Sequence, residues 1–539
     1  MVRILMTQRA VPRRPSPAYR QMNPLRRPDN PDHVAVYGLV DKTPEYSAHR
    51  VLDRNQWVLL AGLVVVIIAG LTLAPLTTLI IANILATAYF VLAIGFRVIL
   101  FGLSFFDPLN GSQAPLEHPP DESDETLPII TILLPVFREA ESLVILSQSI
   151  AALDYPAEKK DVKLLIEEED HKTLGEARRL NLDARWDVVT IPKGYPQTKP
   201  KACNYGLHRA AGTLIVIYDA EDQPQADQLR CAAATFARAR RAVAENQQAK
   251  PLACAQARLN FYNAHETWLT RFFALEYALW FDTLLPALEK LDVPIPLGGT
   301  SNFFRTDILR ELGGWDPFNV TEDADLGLRL AAHGFRTQIM PSTTFEEANC
   351  QVGNWLRQRS RWMKGYMQTW LVHMRRPYRF ARATGVKGFI ATQLFVGGNV
   401  ISAVINPILW VFFLAWHLFE PPLVAQVFPE PLMTMNLFAF LFGNCFFIYL
   451  FLVAPLKRGW LSLCPQAVFV PVYWSLTAIA AYKGLWQLIR RPHFWEKTDH
   501  MLSPQAQRQR AGALSRLESK NEQTAQPQHS AEAKIDAAA

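Results

Sequence analysis

The run Leu214-Ile-Val-Ile-Tyr218-Asp219-Ala-Glu221-Asp222 joins a short apolar segment directly to a cluster of acids. Its length suits a buried strand, and the acids mark where that strand ends. Three upstream runs read the same way: Leu127–Pro135, Val162–Ile166 and Asp187–Ile191. Between them, Glu141–Leu153 and Gln197–Ala211 carry helical spacing. Strands alternating with helices predict a parallel, doubly wound α/β sheet. In such sheets ligands sit beyond the carboxyl ends of the strands, so the residues after each strand are where chemistry is sought.

After the first strand comes Phe137-Arg-Glu139-Ala-Glu141, after the second Glu167-Glu-Glu169-Asp170, and after the fourth Asp219-Ala-Glu221-Asp222. Like charges converging on one crevice repel unless a cation is present. Acidic helix caps explain one such cluster readily and three poorly. No GxxxxGK[ST] run occurs, and no GxGxxG follows a strand, so P-loop and dinucleotide sites lose their usual signature. Oxygen-only clusters without neighbouring His or Cys suit Mg²⁺ or Mn²⁺. A hard cation beside a sheet that lacks a phosphate-cradling loop suggests a metal-held diphosphate.

Outward from this α/β stretch, about 121–350, the composition changes. The chain has 539 residues, 50% apolar and only 19% charged, below the roughly 25% charged residues of ordinary soluble domains. The apolar excess lies in blocks: Trp57–Phe96, Gly388–Phe419, Pro431–Leu456 and Gly459–Tyr482 hold no Asp, Glu, Lys or Arg. This excludes a purely soluble enzyme, a disordered chain and a secreted disulfide scaffold. A span needs about 20 apolar residues, so residues 54–105 read as two transmembrane helices. Residues 1–53 read as a disordered, basic, cytoplasmic segment, because Lys and Arg beside a membrane span are retained inside. Residues 1–50 supply +5 of the net +6, so the basic balance is a tail and not a nucleic-acid surface.

The distal region 386–490 reads as three to four spans. Lys457-Arg458 and Arg490-Arg491 cannot both be cytoplasmic if one crossing helix separates them, so six crossings in total are preferred over five. Residues 351–385 carry aromatic and basic residues in alternation, the pattern of amphipathic helices lying in the membrane interface. The tail 504–539, rich in Gln, Ala and Ser, reads as disordered. The six cysteines show no ligand spacing and read as reduced and structural.

With these motifs in order, the chain resembles the inverting family 2 glycosyltransferases, and within them the processive membrane-bound synthases of cellulose, curdlan, hyaluronan and mixed-linkage glucan type. The resemblance covers about Ile129–Met374. It rests on Glu169-Asp170, on Asp219-Ala-Glu-Asp222 as a version of the DxD motif, on Thr321-Glu322-Asp323, and on Gln358-Arg-Ser-Arg361-Trp362, a full QxxRW pattern.

The resemblance implies a GT-A type nucleotide-sugar transferase domain, α/β and cytoplasmic, inserted between transmembrane helices of a bacterial inner membrane. It implies Asp323 as catalytic base and Asp219 with Glu221 or Asp222 as ligands of Mg²⁺ or Mn²⁺. Glu139, Glu169, Asp170, Lys201, Asp219, Gln358 and Arg361 would contact the nucleotide sugar. Gly299, Thr300, Ser301, Glu322 and Trp362 would form the acceptor site. A loop over 491–503, with Trp495, Lys497, Thr498 and His500, would gate the donor site.

The expected function is processive transfer of sugar, with UDP-glucose the expected donor, onto a growing β-linked polysaccharide that leaves through the bilayer. Alternatives are single transfer to a lipid-linked acceptor and a non-catalytic membrane component of an export or surface-receptor assembly. No segment after the helices reads as a regulatory domain, so control would come from separate regulatory or export partners.

Overall fold

The computed structural model describes residues 30–105, 124–180, 182, 185–246, 248–419 and 422–516. The disorder expected of 1–29 and 517–539 lies outside them. Residues 30–53, also expected to be disordered, are folded onto the α/β domain. Asn30 caps α1 (Pro31–Lys42) by accepting the Asp32 amide at 2.9 Å, and Ala35, Val36 and Leu39 are buried. Asp316 accepts the Ser47 hydroxyl at 3.0 Å and the Ala48 amide at 2.5 Å, while Arg375 donates to the Glu45 and Ser47 carbonyls at 2.9 Å each. A few apolar residues among Pro, Asp and Arg leave the composition polar, which concealed the helix. The apolar helices α2 (Arg54–Leu73) and α3 (Pro75–Phe105) follow, the first opened by a reciprocal cap between Asp53 and Gln56.

Eight strands form one sheet in the order β3-β2-β1-β4-β7-β6-β8-β5. The half comprising β1 (Ile130–Val136), β2 (Lys160–Glu167), β3 (Trp186–Ile191) and β4 (Leu214–Ile217) is parallel, as expected. Alternate residues feed opposite faces: Ile132, Leu134 and Val216 pack on one side, Leu133, Leu165 and Ile217 on the other. The other half is mixed. It holds the short β5 (Gln223–Pro224), β6 (Leu252–Phe261), β7 (Asn302–Arg305) and β8 (Arg336–Glu346), with β7 antiparallel to both β4 and β6. Because β7 runs backwards, the loop that precedes it meets the carboxyl ends of β1, β2 and β4. β8 runs parallel to β6 and ends at the same edge with Glu346.

Four helices carry the site: α4 (Lys199–Arg209), α5 (Trp268–Leu279), α6 (Glu322–Ala332) and α7 (Val352–His373). The expected interfacial position of 351–385 is corrected for α7, whose Trp355, Arg359, Ser360, Lys364 and Gln368 are buried. Its basic residues turn inward to partners. Arg359 binds Glu276 of α5, with Nη1 to Oε1 at 2.8 Å, and Lys364 donates to the Phe494 carbonyl at 2.6 Å.

Among the described residues five helical stretches are long and apolar enough to cross a membrane, three of them distal: Pro377–Phe419, Leu432–Arg458 and Leu461–Arg490. That is one fewer than six crossings require. The first is a single kinked stretch with a π-helical turn at Gln393–Gly397, leading into α8 (Gly398–Phe419). It is followed by α9 (Leu432–Val453) and α10 (Val470–Arg490). Both flanks of the last stretch touch the catalytic domain. Arg458 pairs with Asp282 at 2.6 and 2.9 Å, and beyond the helix Glu496 accepts from Lys483 and Gln487 at 2.8 Å and from Ser360 at 3.3 Å.

The expectation of a disordered tail is also corrected in part. Residues 504–516 form a helix, α11, whose Ala506 and Ala513 are buried against Val144 and Ile145. Alanine packs closely while adding little hydropathy, so composition alone hid this docking.

Gly484 lets α10 lie against α7. A methyl group there would sit 2.7 Å from the Ser360 carbonyl oxygen, a contact with backbone that cannot swing aside. Gly484→Ala is therefore expected to destabilise the protein by about 1–3 kcal/mol, seen as a lower melting temperature in detergent solution. An unchanged melting temperature would mean that the two helices are not in close contact.

Candidate active site

Asp219 and Glu221 follow β4 and front a cavity of about 1210 Å³. Asp222, proposed with them from sequence, turns back into the loop. It accepts the Asp219 amide at 2.7 Å and the Thr300 hydroxyl, and is fully buried. Burial, reinforced by the charge of Asp219, pushes its carboxyl well above the ordinary range. Of the two candidates for second ligand, Glu221 faces the open space and Asp222 shapes the turn.

The cations that offset these acids come from three elements. Lys199, at the first position of α4, ion-pairs with Asp219 and donates to the Gly299 carbonyl at 2.7 Å. His500 Nδ1 meets Glu221 Oε1 at 2.9 Å, and its Nε2 lies 3.8 Å from Glu139. Burial alone would pull this imidazole down, but Glu221 overrides it and the pKa rises to about 10. Arg361 lines the cavity with its guanidinium 4.5 Å from the Trp495 ring centroid, and its buried Nε has no hydrogen-bond partner. Gln358, one turn before it, also lines the cavity and accepts from Asn349 at 2.8 Å.

Three residues expected at the nucleotide lie outside the cavity wall. Lys201 is buried under carbonyls, donating to Pro192 at 2.6 Å and Gly194 at 3.3 Å. Two positions on a helix differ by about 200°, so Lys199 and Lys201 cannot point the same way. Asp170 caps the helix His171–Arg179, accepting the Thr173 amide at 3.2 Å, and also accepts the Arg138 amide. Glu169 pairs at the surface with Lys193 and Gln197, at 2.9 Å each. Lys199 was missed because a helix-start lysine reads as a surface residue. Glu346 was missed because β8 was not recognised. Its Oε1 is buried without a partner, and burial among Asp222, Glu221 and Asp219 pushes its carboxyl well above the ordinary range.

On the acceptor side, Glu322 and Asp323 open α6. Thr321 makes no side-chain cap, and Asp323 Oδ1 accepts the Ala324 amide at 2.8 Å instead. Burial raises Asp323 to about 6, and burial with the charge of Asp323 raises Glu322 to about 8. Gly299 belongs beside them, since a methyl there would lie 3.3 Å from Asp323 Oδ2. Thr300 lines the cavity, whereas Ser301 is fully buried and bonds Thr344 at 2.6 Å, leaving it no route to a ligand.

Trp362 lines the cavity beneath Arg359, whose guanidinium lies 4.8 Å from its ring centroid. Arg359 is in turn fixed by Glu276 and by the Tyr473 hydroxyl at 2.8 Å. The segment expected to gate the donor site lies beside Glu139 and Glu221. Trp495, Lys497, Thr498 and His500 all front the cavity, and Lys497 donates to the Phe137 carbonyl and to that of Arg138 at 3.2 Å.

Among the described residues no three His, Cys, Asp or Glu side chains form a closed ligand cage. The chemistry still fits Mg²⁺ or Mn²⁺, ions that keep waters and are held by one or two carboxylates plus substrate phosphates. Asp219 and Glu221 supply two carboxylates, and the unpartnered Glu346 Oε1 adds acceptor capacity nearby.

Residues 214–481 match the model of Glycosyl transferase family group 2. Similar proteins include the beta-monoglucosyldiacylglycerol synthase of Trichormus variabilis, 26% identical over 264 residues, 47% of this chain and 52% of that protein. Glucomannan 4-beta-mannosyltransferase 1 of Oryza sativa subsp. japonica is 24% identical over 227 residues, 40% of this chain and 41% of that protein. Among solved structures, a mannosyltransferase from Pyrobaculum calidifontis in complex with GDP-Man and Mn²⁺ is 18% identical, with a TM-score of 0.44 over 74% of this chain and 99% of that one. The chain spans about half the length of the curated relatives it matches. The matched stretch holds the second half of the α/β sheet together with distal apolar helices.

The two lysines of α4 separate by experiment. Lys199→Met is expected to weaken UDP binding about tenfold or more, the loss of one charge-assisted contact, measured by isothermal titration calorimetry with Mn²⁺ present. Lys201→Met should leave UDP affinity within about twofold and lower the melting temperature instead. The reverse pattern would return the phosphate contact to Lys201.

Proposed function

We propose that this chain is a processive inverting glycosyltransferase that extends a glycan at Asp323 and passes it through its own membrane helices. The cavity carries this reading. It is continuous from Asp219, Asp323 and Trp362 to Val424 and Phe428 at the opposite end of the helices. Its volume exceeds the roughly 300–1,000 Å³ of a small-molecule pocket, more than a nucleotide sugar needs. Its membrane portion combines flat aromatic faces (Trp410, Phe440) with amides (Asn399, Asn436, Asn444), surfaces that suit sugar rings and hydroxyls.

We infer that four helices cross, namely α2, α3, α8 and α9. The fifth, α10, lies along α7, which lets Lys457-Arg458 and Arg490-Arg491 share the catalytic face as the positive-inside rule requires. An even number of crossings returns the segment 491–516 to the donor site, where it is found. The catalytic domain is then cytoplasmic, in a bacterial inner membrane.

In the proposed reaction the nucleotide diphosphate lies against Asp219, Glu221, Lys199 and Arg361. A bound Mg²⁺ or Mn²⁺ would neutralise charge developing on the departing diphosphate. Arg361 and Lys199 add fixed positive charge there, held in place before the bond breaks. On the acceptor side Asp323 takes the proton of the attacking hydroxyl as its oxygen bonds the anomeric carbon and the diphosphate leaves. Burial raises both carboxyls, and Glu322 is raised further by the charge of Asp323, so Asp323 is the member that ionises first. Trp362 holds the terminal sugar, and the 495–500 loop excludes water that would hydrolyse the donor. UDP-glucose is the donor to test first, with UDP-N-acetylglucosamine, GDP-mannose and UDP-glucuronate beside it, alone and in pairs.

The purified protein in nanodiscs, given labelled UDP-glucose or the other donors, is expected to make long, enzyme-digestible polymer. A lipid carrying one sugar would instead identify a single transfer to a lipid acceptor, and no product from any donor would contradict a catalytic role. Asp323→Asn should lower transfer at least about a hundredfold while UDP affinity stays near wild type. Because the base must be ionised, the rate should fall about tenfold per pH unit below about 6 and level off above it. Full activity in the variant would remove Asp323 as base.

A further inference from the structure

Arg97 is a charged residue inside α3, and its surroundings are unusual. It is 6% exposed, lines the cavity, and has no Asp or Glu in ion-pair range among the described residues. Its guanidinium donates to Asn399 Oδ1 at 3.1 Å and to the Ala93 carbonyl at 3.4 Å, and lies 5.1 Å from the Phe447 ring centroid. All three partners are neutral. By contrast Arg359, in the same cavity wall, is neutralised by Glu276, and the Arg361 charge is offset by Asp219, Glu221, Glu322 and Asp323.

A buried charge in a membrane segment is costly, and where it persists it marks a substrate pathway or a partner charge. No partner charge is supplied by the described chain. The depth of the residue indicates where one would come from. Ser104, on the same helix, receives Lys457 at 2.5 Å on the catalytic face. Arg97 lies seven residues deeper, about 10 Å along the helix. In a hydrocarbon core of about 30 Å that is below the level of ordinary lipid phosphates.

We propose that Arg97 is a binding site for a carboxylate on the glycan in transit, so that the polymer includes acidic sugars of the uronate class. The proposal rests on the cavity as the glycan's path and narrows it. A strictly neutral glucan would offer the guanidinium only hydroxyls, which leave its charge uncompensated. Ala93 and Asn399 each take one hydrogen of an Nη group, and the remaining N–H donors suit the two oxygens of a carboxylate, the partner arginine pairs with best.

The test measures binding of β-1,4-linked glucuronate tetramer and of cellotetraose to the protein in zwitterionic nanodiscs, followed by quenching of the cavity tryptophans. The acidic tetramer is expected to bind about tenfold or more tighter, as for one charge-assisted contact. Arg97→Gln should abolish that difference and Arg97→Lys should keep most of it, with UDP affinity unchanged as the control for folding. Equal binding of the two tetramers to the wild type, or discrimination that survives Arg97→Gln, would overturn the proposal. So would loss of discrimination in nanodiscs of anionic lipid, which would give Arg97 to a lipid phosphate. If neither tetramer binds, the glycan path itself falls, an outcome distinct from equal binding.

Discussion

Carboxylates cannot gather in a crevice away from water unless positive charge gathers with them. Here Asp219, Glu221, Glu322, Asp323 and Glu346 front one cavity, and the surrounding architecture supplies the balance. Lys199 arrives at the start of α4, Arg361 on α7, and His500 on the segment after the last apolar helix. These elements are far apart in sequence, so the acids tie the sheet, the QxxRW helix and the C-terminal strap into one unit. The same balance is what a nucleoside diphosphate with its cation would disturb, since their charges would compete with the present ion pairs. In the proposed reaction, donor binding and the position of the 495–500 loop are thereby linked.

α7 is the hub of this arrangement. Gln358, Arg361 and Trp362 line the cavity, and Arg359, in the same wall, is held by Glu276 and Tyr473 and carries the Trp362 ring on its guanidinium. Near its end His373 meets Asp325 of α6 at 3.1 Å, so the helix bearing Trp362 also fixes the helix bearing Asp323. Gly365 and Gly484 allow the close approach on both sides, to Thr321 and from α10 to Ser360. A basic, aromatic helix that composition assigns to the membrane surface is thus enclosed, because each inward charge has its own partner.

Much of this was legible in the sequence. The four parallel strands show as unbroken apolar runs because both of their faces are buried. Glu139 after β1, Asp219 and Glu221 after β4, the Thr321-Glu-Asp323 turn, the QxxRW segment and the 495–500 loop line one cavity. What could not be read was direction. Asp222 and Glu221 are adjacent, yet one shapes a turn and the other fronts the cavity. Lys199 and Lys201 share a helix and face apart. Asp170 is spent as a helix cap. The second half of the sheet went unread because β7 is short and antiparallel, which hid Glu346. Residues 31–42 and 504–516 were hidden by polar composition, since a few apolar or alanine contacts suffice to dock a short helix.

The central claim is that the cavity between Trp362 and Phe428 is the path of a growing glycan. The most direct measurement is an electron cryo-microscopy map of the protein in nanodiscs, frozen during synthesis with a chain-terminating deoxy donor. A glycan path predicts a row of sugar-sized densities running from Trp362 past Arg97 and Trp410 to Phe428, with its terminal hydroxyl at Asp323. An acyl chain in that space, or a cavity without glycan density beside a filled donor site, would contradict it.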